Sequence, residues 1–156
     1  MERKVDSGGA VVIRPFVAKD IAQVAALCGQ LGYPSTPEQV RGRLDQMTQD
    51  RDSAIFVANG ASGQVVGWVH VYVRRLLEVE QHAEIGGLVV AKSHRCRGAG
   101  RMLMEKAEDW ARLKGCETVY VRSSVQRTGA HRFYRGIDYE QTKTLHLFLK
   151  ALKDPG

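Results

Sequence analysis

Few cysteines and no long apolar runs narrow the classes of protein to which this chain can belong. The 156 residues include three cysteines, Cys28, Cys96 and Cys116, with no Cys-x-x-Cys pair. An odd, scattered set argues against a disulfide framework or a structural zinc site and favours a reducing compartment. The first nine residues lack the apolar core of a signal peptide, and no stretch approaches the roughly 18 apolar residues of a membrane span. We expect a cytoplasmic protein with no metal and no membrane partner.

Acidic residues are also fewer than basic ones. Lys and Arg number 23 against 17 Asp and Glu, which gives a net charge of +6. This excess favours an anionic partner, whether nucleic acid, phosphate or a phosphorylated cofactor. Hydrophobic residues make up 44% of the chain and charged residues 26%, which is typical of a globular domain rather than a disordered one.

The hydrophobic pattern predicts a flexible tail over residues 1–9 and a single α/β domain over residues 10–152. Stretches in which apolar residues recur every second position, as in strands, alternate with stretches in which they recur about every 3.6 positions, as in helices. Gly or Pro residues separate these stretches. We find no internal repeat. The predicted elements are, in order, a strand at 11–13, helices after Asp20 and Thr36, strands at 54–58, 65–73 and 83–90, a helix at 98–114, a strand at 117–122, a short helix at 130–137 and a last strand marked by Leu145, Leu147 and Leu149.

A glycine-rich turn precedes the longest predicted helix. Gly98 and Gly100 allow positive φ and place no Cβ between the backbone and a ligand. The free amides and positive dipole end of the helix suit a pyrophosphate, and Arg95, Arg97 and Arg101 could contact phosphate oxygens. The alternative is a tight strand-to-helix turn among solvated arginines.

Two other phosphate-binding motifs are absent from the sequence. There is no G-x-x-x-x-G-K-[ST], which excludes an ATP or GTP P-loop. There is also no G-x-G-x-x-G in a parallel βαβ unit with an acidic ribose contact further along, which excludes a dinucleotide fold.

The turn resembles the Q/R-x-x-G-x-G/A signature of the GCN5-related N-acetyltransferases (GNAT), which it matches with Arg95, Gly98 and Gly100. A strand of the form Leu88-x-Val90 precedes it, and residues 130–134 (AHRFY) stand in the place of the family's A-x-x-F/L-Y helix. The similarity spans roughly residues 11–150, with the segments in the family's order.

The resemblance implies the GNAT acyl-CoA N-acyltransferase fold, of class α/β (α+β). In that fold a mixed, mostly antiparallel twisted sheet of about six to seven strands carries about four helices. Its fourth and fifth strands splay apart to open a slot for pantetheine. Gly86 and Gly87 are weak strand formers, which would help a bulge at that position.

The family's coenzyme is acetyl-CoA, used as a co-substrate. Backbone groups of the fourth strand would pair with the pantetheine arm, and the turn would hold the pyrophosphate. The implied coenzyme-binding residues are Leu88, Val89, Val90, Arg95, Cys96, Arg97, Gly98, Ala99, Gly100 and Arg101.

Two side chains are candidate catalytic groups. Glu84 stands where the family often has its general base, and Tyr134 where a hydroxyl gives a proton to the departing thiolate. Simple strand alternation would put Glu84 on one face with Gly86 and Leu88. A salt-bridged strand carboxylate and an ordinary half-buried tyrosine are the alternatives, and His82 or Glu80 could replace Glu84 as the base.

The sequence departs from the family pattern at three points. Cys96 occupies a position that is commonly glycine, and Asp138 precedes Tyr139 where the helix usually ends in glycine. The family's frequent Asn before this helix is missing from residues 124–128. An acyl-cysteine route through Cys96 is disfavoured, because the thiol would lie beside phosphates rather than beside the acetyl group.

The sequence thus predicts an N-acetyltransferase in which a primary amine attacks acetyl-CoA directly in a ternary complex. The alternative is an acetyl-CoA-binding sensor or partner protein without turnover. The acceptor is a small-molecule or peptide amine, and Glu78 and Glu80 would suit a cationic one. The anionic coenzyme accounts for the arginines, and we see no nucleic-acid-binding signature. The family often pairs through terminal strands, so a homodimer is compatible with the last predicted strand.

Overall fold

The structure, a computed structural model, describes residues 10–154. The chain divides into two compact units, with Val121 ending the first and Arg122 beginning the second. The tail predicted over residues 1–9 lies outside the described residues.

The first unit contains a five-stranded sheet and three α-helices. The sheet order is β1-β2-β3-β4-β5, antiparallel throughout except for the parallel pair β4 and β5. The elements are β1 (Val12–Pro15), α1 (Ile21–Gln30), α2 (Pro37–Met47), β2 (Ser53–Asn59), β3 (Val65–Arg74), β4 (His82–Val90), α3 (Ala99–Leu113) and β5 (Val119–Val121), with short 3-10 turns at Ala18–Asp20 and Lys92–His94.

Helices cover the sheet on both faces. On one face, α1 and α2 bury Val57, Trp68 and Val89 against their own apolar side chains. On the other face, α3 packs against β3 and β4 and buries Leu103 and Met104 completely. We call the first of these the α1 face of the sheet.

Strong local signals fix the helices where they were predicted. In α2, Thr36 accepts from the backbone N of Gln39, and the Gln39 side chain accepts from the backbone N of Thr36. This capping box satisfies two amide donors at the helix start. Gly115, with φ of 81°, follows the end of α3, as the sequence predicts.

A partly buried ion pair ties β1 to the start of α1. Asp20 is 1% exposed and accepts two hydrogen bonds from Arg14, at 2.8 and 2.9 Å. It also accepts from the backbone N of Val17 at 2.9 Å. The hydrogen bonds from Arg14 lower the pKa of the Asp20 carboxyl, against the opposing effect of burial.

The second unit contains the helix α4 (Thr128–Gly136), and the strand predicted beyond it is not formed. The described chain has five strands rather than the predicted six to seven, while the four helices agree with the prediction. Leu145, Leu147 and Leu149 do alternate, but a strand needs a neighbouring edge for its hydrogen bonds, and residues 139–154 pair with none. No helix in the described part of the chain is long and apolar enough to cross a membrane.

Candidate coenzyme and acceptor site

A β-bulge interrupts the pairing of β3 with β4. His70 pairs with Gly87 and Val71 with Ile85, so Gly86 is the extra residue. A Cβ at Gly86 would overlap the His70 ring, and a Cβ at Gly87 would lie 2.8 Å from the Trp68 ring. Both positions therefore require glycine, and the bulge that the family resemblance implied at this point of the strand is present.

The bulge also corrects the predicted face of the strand. Because one residue is added, Glu84 shares the α1 face with Gly86, Gly87 and Val89, whereas Leu88 pairs with Val69 on the opposite face. Glu84 and Leu88 therefore do not share a face, and the simple alternation that predicted this was wrong.

The sheet opens directly after this bulge. The parallel pairing of β4 with β5 covers Ala83, Glu84 and Ile85 and goes no further. The edge of β4 from Gly86 to Val90 faces no strand on that side in the described part of the chain. This unpaired edge can accept an extended ligand by strand-like hydrogen bonding.

The glycine-rich turn leads from the end of β4 into α3. Gly98 is the N-cap residue with φ of 85°, and no side chain caps the first amides of the helix. Cys96 also has positive φ, at 63°. The Arg97 side chain is exposed, while Arg95 donates to the Val90 carbonyl at 3.3 Å. Uncapped amides, the helix dipole and exposed arginines together suit a pyrophosphate.

Glu84 lies buried on the α1 face with two partners. Its side chain is 2% exposed, and Arg74 donates to both carboxylate oxygens, at 2.9 and 3.2 Å. The Tyr72 hydroxyl donates to the same carboxylate. Tyr72 itself is half-buried.

The two alternative bases are placed differently. His82 is 1% exposed, stacks on Tyr120 at 3.9 Å between ring centroids, and shares a hydrogen bond of 3.1 Å between Nδ1 and the Glu80 carbonyl. Its Nε2 has no partner among the described residues. Glu80 is exposed in the loop before β4.

Sequence reasoning missed His70. This half-buried side chain lies on the α1 face of β3, against the bulge, and its Nε2 shares a hydrogen bond of 2.9 Å with Ser53 Oγ. Burial lowers the pKa of His70, and the nearby Asp50 partly opposes that shift. One signal in the sequence could have indicated it: Trp68, His70 and Tyr72 alternate along β3, and the next strand contains two consecutive glycines, Gly86 and Gly87.

Tyr134 belongs to the second unit, on α4. Its ring makes edge contacts with Phe133 at 5.3 Å and Tyr139 at 6.0 Å between centroids. Burial raises the pKa of the Tyr134 hydroxyl, so it remains a protonated donor at neutral pH. Asp138, just after the helix, has φ of 72°.

Comparison with known proteins decides the family. The sequence profile of the acetyltransferase (GNAT) family matches residues 19–139. The chain belongs to the GNAT acetyltransferase family. This confirms the resemblance read from the glycine-rich turn and its flanking segments.

Among curated relatives, the chain is similar to an aminoglycoside N(6')-acetyltransferase type 1 of Stenotrophomonas maltophilia. The two are 28% identical over 148 residues, which cover 92% of this chain and 95% of that protein. A streptothricin acetyltransferase of Streptomyces lavendulae is 34% identical over 88 residues, which cover 56% of this chain and 45% of that one.

Solved structures of the family share the fold. The aminoglycoside 6'-N-acetyltransferase AAC(6')-Ih of Acinetobacter baumannii superimposes with a TM-score of 0.81 at 17% identity, over 92% of this chain and 100% of that chain. The aminoglycoside N-acetyltransferase AAC(6')-Iy, solved in complex with CoA, gives a TM-score of 0.82 at 19% identity, over 94% of this chain and 98% of that one. At these identities the likeness establishes the fold alone.

Proposed function

We propose that this GNAT family member transfers an acetyl group from acetyl-CoA to a primary amine by direct attack in a ternary complex. The observation that carries the proposal is the unpaired edge of β4, which runs from the bulge at Gly86 to Val90 and leads into the uncapped start of α3. A ligand with an extended amide-bearing arm and a pyrophosphate suits that combination.

The coenzyme runs along this edge and ends in the turn. Backbone groups of Leu88, Val89 and Val90 pair with the pantetheine arm, and the turn holds the pyrophosphate. The turn residues in this role are Arg95, Cys96, Arg97, Gly98, Ala99, Gly100 and Arg101. No metal takes part in the proposed reaction.

Glu84 and Tyr134 carry the proposed proton transfers. Glu84 takes a proton from the ammonium group of the acceptor, through water or the Tyr72 hydroxyl, which donates to its carboxylate. Tyr134 gives a proton to the departing thiolate, and because burial raises the pKa of its hydroxyl, that hydroxyl carries its proton at neutral pH. His82 and Glu80 remain the alternative bases.

The acceptor is a small primary amine, and aminoglycosides are the first class to test. Support for this choice is the match over 92% of the chain to a protein named aminoglycoside N(6')-acetyltransferase. Exposed Glu78 and Glu80 suit a cationic acceptor.

An amine panel tests the function. Acetyl-CoA binding is measured by isothermal titration calorimetry, and thiol release is then followed with aminoglycosides, polyamines, amino acids and lysine peptides. We expect thiol release with at least one amine and an acetylated product by mass spectrometry. Binding of acetyl-CoA without thiol release in any case would support the sensor alternative instead.

The proposal includes a homodimer formed through the C-terminal segment, residues 140–154. Leu147, Phe148 and Leu152 are each 91% exposed there, and Leu149 is 85% exposed. Apolar side chains at such exposure favour association, and a second copy would supply the edge that the predicted strand requires. Sedimentation should give the mass of a dimer, and Leu147→Ser with Leu149→Ser should give a monomer. If the wild-type protein sediments as a monomer, the proposed homodimer is refuted.

A cytoplasmic location is part of the proposal. It rests on the cysteines, because Cys28, Cys96 and Cys116 are all free thiols in the structure. Export of the protein to an oxidising compartment in its native host would contradict this location.

A further inference from the structure

His70 occupies a position that the bulge leaves uncovered. Its Nδ1 points at Gly86, where any side chain would overlap it, and Gly86 itself is exposed. The absence of a Cβ at the extra residue therefore keeps one edge of the imidazole ring accessible. This Nδ1 has no hydrogen-bond partner among the described residues.

Ser53 fixes the other edge of the ring. The Ser53 hydroxyl lies on β2, next to β3, and shares a hydrogen bond of 2.9 Å with His70 Nε2. When Ser53 accepts the proton of Nε2, the neutral ring presents the lone pair of Nδ1 to the bulge. Burial favours this neutral form of the ring.

The reacting atoms lie at the same bulge, an inference that rests on the proposed function. A coenzyme with its pyrophosphate at the start of α3 and its pantetheine arm along Leu88–Val90 runs away from the turn along β4. Its thioester end then comes to Gly86 and Gly87. His70 pairs with Gly87 across β3 and β4 and lies against Gly86, so its ring borders that position.

Acetylation of an alkylammonium ion releases two protons from nitrogen. The first must leave before attack, because the free lone pair is the nucleophile. The second leaves after the new C–N bond has formed, from the positively charged nitrogen of the tetrahedral intermediate. The C–S bond then breaks and the thiolate takes a proton. In the proposed function, Glu84 accepts the first of these protons and Tyr134 donates a proton to the thiolate. The second nitrogen proton is thus left without an acceptor.

We infer that His70 Nδ1 accepts this second proton, with Ser53 as its positioning residue. The electron pair of the N–H bond returns to nitrogen, the oxyanion reforms the carbonyl, and the thiolate departs. The His70 imidazolium and the protonated Glu84 carboxyl then each pass one proton to solvent, and Tyr134 takes one back, so the net release is one proton per acetyl group transferred.

The surroundings of His70 support a neutral acceptor. Tyr72 lies next to it on β3, at 5.5 Å between ring centroids. Asp50, in the loop before β2, favours the protonated ring, whereas Glu84 on β4 is already paired with Arg74 and Tyr72. The Leu31 side chain at the end of α1 borders Gly87 and adds no charge.

The test uses His70→Gln in the full chain, with Asp109→Asn, at an exposed position of α3, as the control. We expect kcat/KM to fall about 100-fold for His70→Gln, a typical loss for one general base. The dissociation constant of acetyl-CoA should stay within about twofold, and the acid limb of the pH–rate profile should change. Asp109→Asn should leave both values unchanged. A loss of less than about threefold, or a loss explained by weaker acetyl-CoA binding, would overturn the role of His70.

Ser53 variants separate positioning from folding. Ser53→Ala should lower kcat about tenfold and move the acid limb, while Ser53→Thr, which keeps the hydroxyl, should restore both. Failure of Ser53→Thr to rescue would refute the positioning role. If both the wild type and His70→Gln turn over acetyl-CoA at similar rates, the role of His70 is refuted, while the proposed function stands. Wild type that binds acetyl-CoA and acetylates no amine would defeat the proposed function itself, and the proton-acceptor role with it.

Discussion

Cys96 and Asp138 share a left-handed backbone conformation, with φ of 63° and 72°. Both stand at positions where the sequence departs from a glycine that the family commonly has. Cys96 lies in the turn before α3, and Asp138 lies just after α4. The backbone geometry that glycine would serve is thus kept, although the glycine is not.

Replacement of Cys96 by glycine should stabilise the protein. A side chain at positive φ costs about 1 kcal/mol, and Cys96 is exposed, so little packing is lost. We expect the free energy of unfolding in urea to rise by about 1 kcal/mol for Cys96→Gly. Cys96→Ala retains the Cβ and should give no such rise. Equal stabilities of the two variants would show that the thiol, and not φ, sets the effect.

Asp138→Gly should also stabilise the protein, but by less than Cys96→Gly. Asp tolerates the left-handed region better than most residues, so we expect about 0.5 kcal/mol in urea denaturation. Gly136→Ala serves as the comparison, since Gly136 is the last residue of α4, has no positive φ and has open space for a Cβ. That exchange should stabilise the protein by at most about 0.5 kcal/mol, because the Gly-to-Ala difference in helix propensity is smaller at a helix end than in the interior. Destabilisation by Asp138→Gly would mean that a contact of the Asp138 side chain stabilises the protein by more than its left-handed backbone conformation costs.

The sequence was most informative where one local signal specifies the structure. The capping box at Thr36, the apolar face of α3 and Gly98 each depend on residues within a few positions. In all these cases propensity, spacing and φ requirements agree, so no distant contact is needed to predict them.

The sequence failed where pairing between distant segments decides. The face of Leu88 was wrong because one extra residue in β4 reverses the alternation, and its register with β3 is not local information. The role proposed for His70 was not predicted for the same reason, because it depends on the position of His70 opposite Gly86 in the neighbouring strand. The strand at Leu145 was predicted from alternation alone, whereas a strand also requires a partner edge.

Gly98→Trp should block the coenzyme without disturbing the rest of the unit. A Cβ at Gly98 meets nothing within 4 Å, so a side chain there would project into open space at the helix start. We expect the dissociation constant of acetyl-CoA to rise at least about tenfold, because the pyrophosphate amides would be covered. Calorimetric titration measures this directly.

Gly115 provides the matched control for that variant. It lies just beyond the opposite end of α3, also has positive φ, and also has open space around a built Cβ. Gly115→Trp should therefore lose a similar stability, about 1 kcal/mol, while acetyl-CoA binds as in wild type. Binding to Gly98→Trp with wild-type affinity would contradict the assignment of the turn as the pyrophosphate site.

Tyr134→Phe tests the proposed proton donor. We expect kcat to fall about 100-fold while the dissociation constant of acetyl-CoA changes little, because the hydroxyl acts on the departing thiolate. The raised pKa has a further consequence: Tyr134 stays protonated through mildly alkaline pH, so wild-type kcat should show no loss from its ionisation below about pH 10. Tyr139→Phe, which removes a neighbouring hydroxyl, should retain activity. Unchanged turnover in Tyr134→Phe would exclude the donor role.

Asp20→Asn should destabilise the first unit in a pH-dependent way. The folded-state pKa of Asp20 is lowered by the hydrogen bonds from Arg14, so its contribution is present above the unfolded pKa of about 3.9 and is lost as pH falls through the folded value. We expect a cost of about 2 kcal/mol at pH 7, because two charge-assisted hydrogen bonds from Arg14 to the buried carboxylate are lost, and a smaller difference from wild type below about pH 4. Asp109→Asn breaks an exposed pair with Arg112, whose side chains are 69% and 68% exposed, and should cost less than about 0.5 kcal/mol. Urea unfolding at pH 7, 5 and 3.5 measures both, and a constant difference for Asp20→Asn across that range would show that charge does not hold β1 to α1.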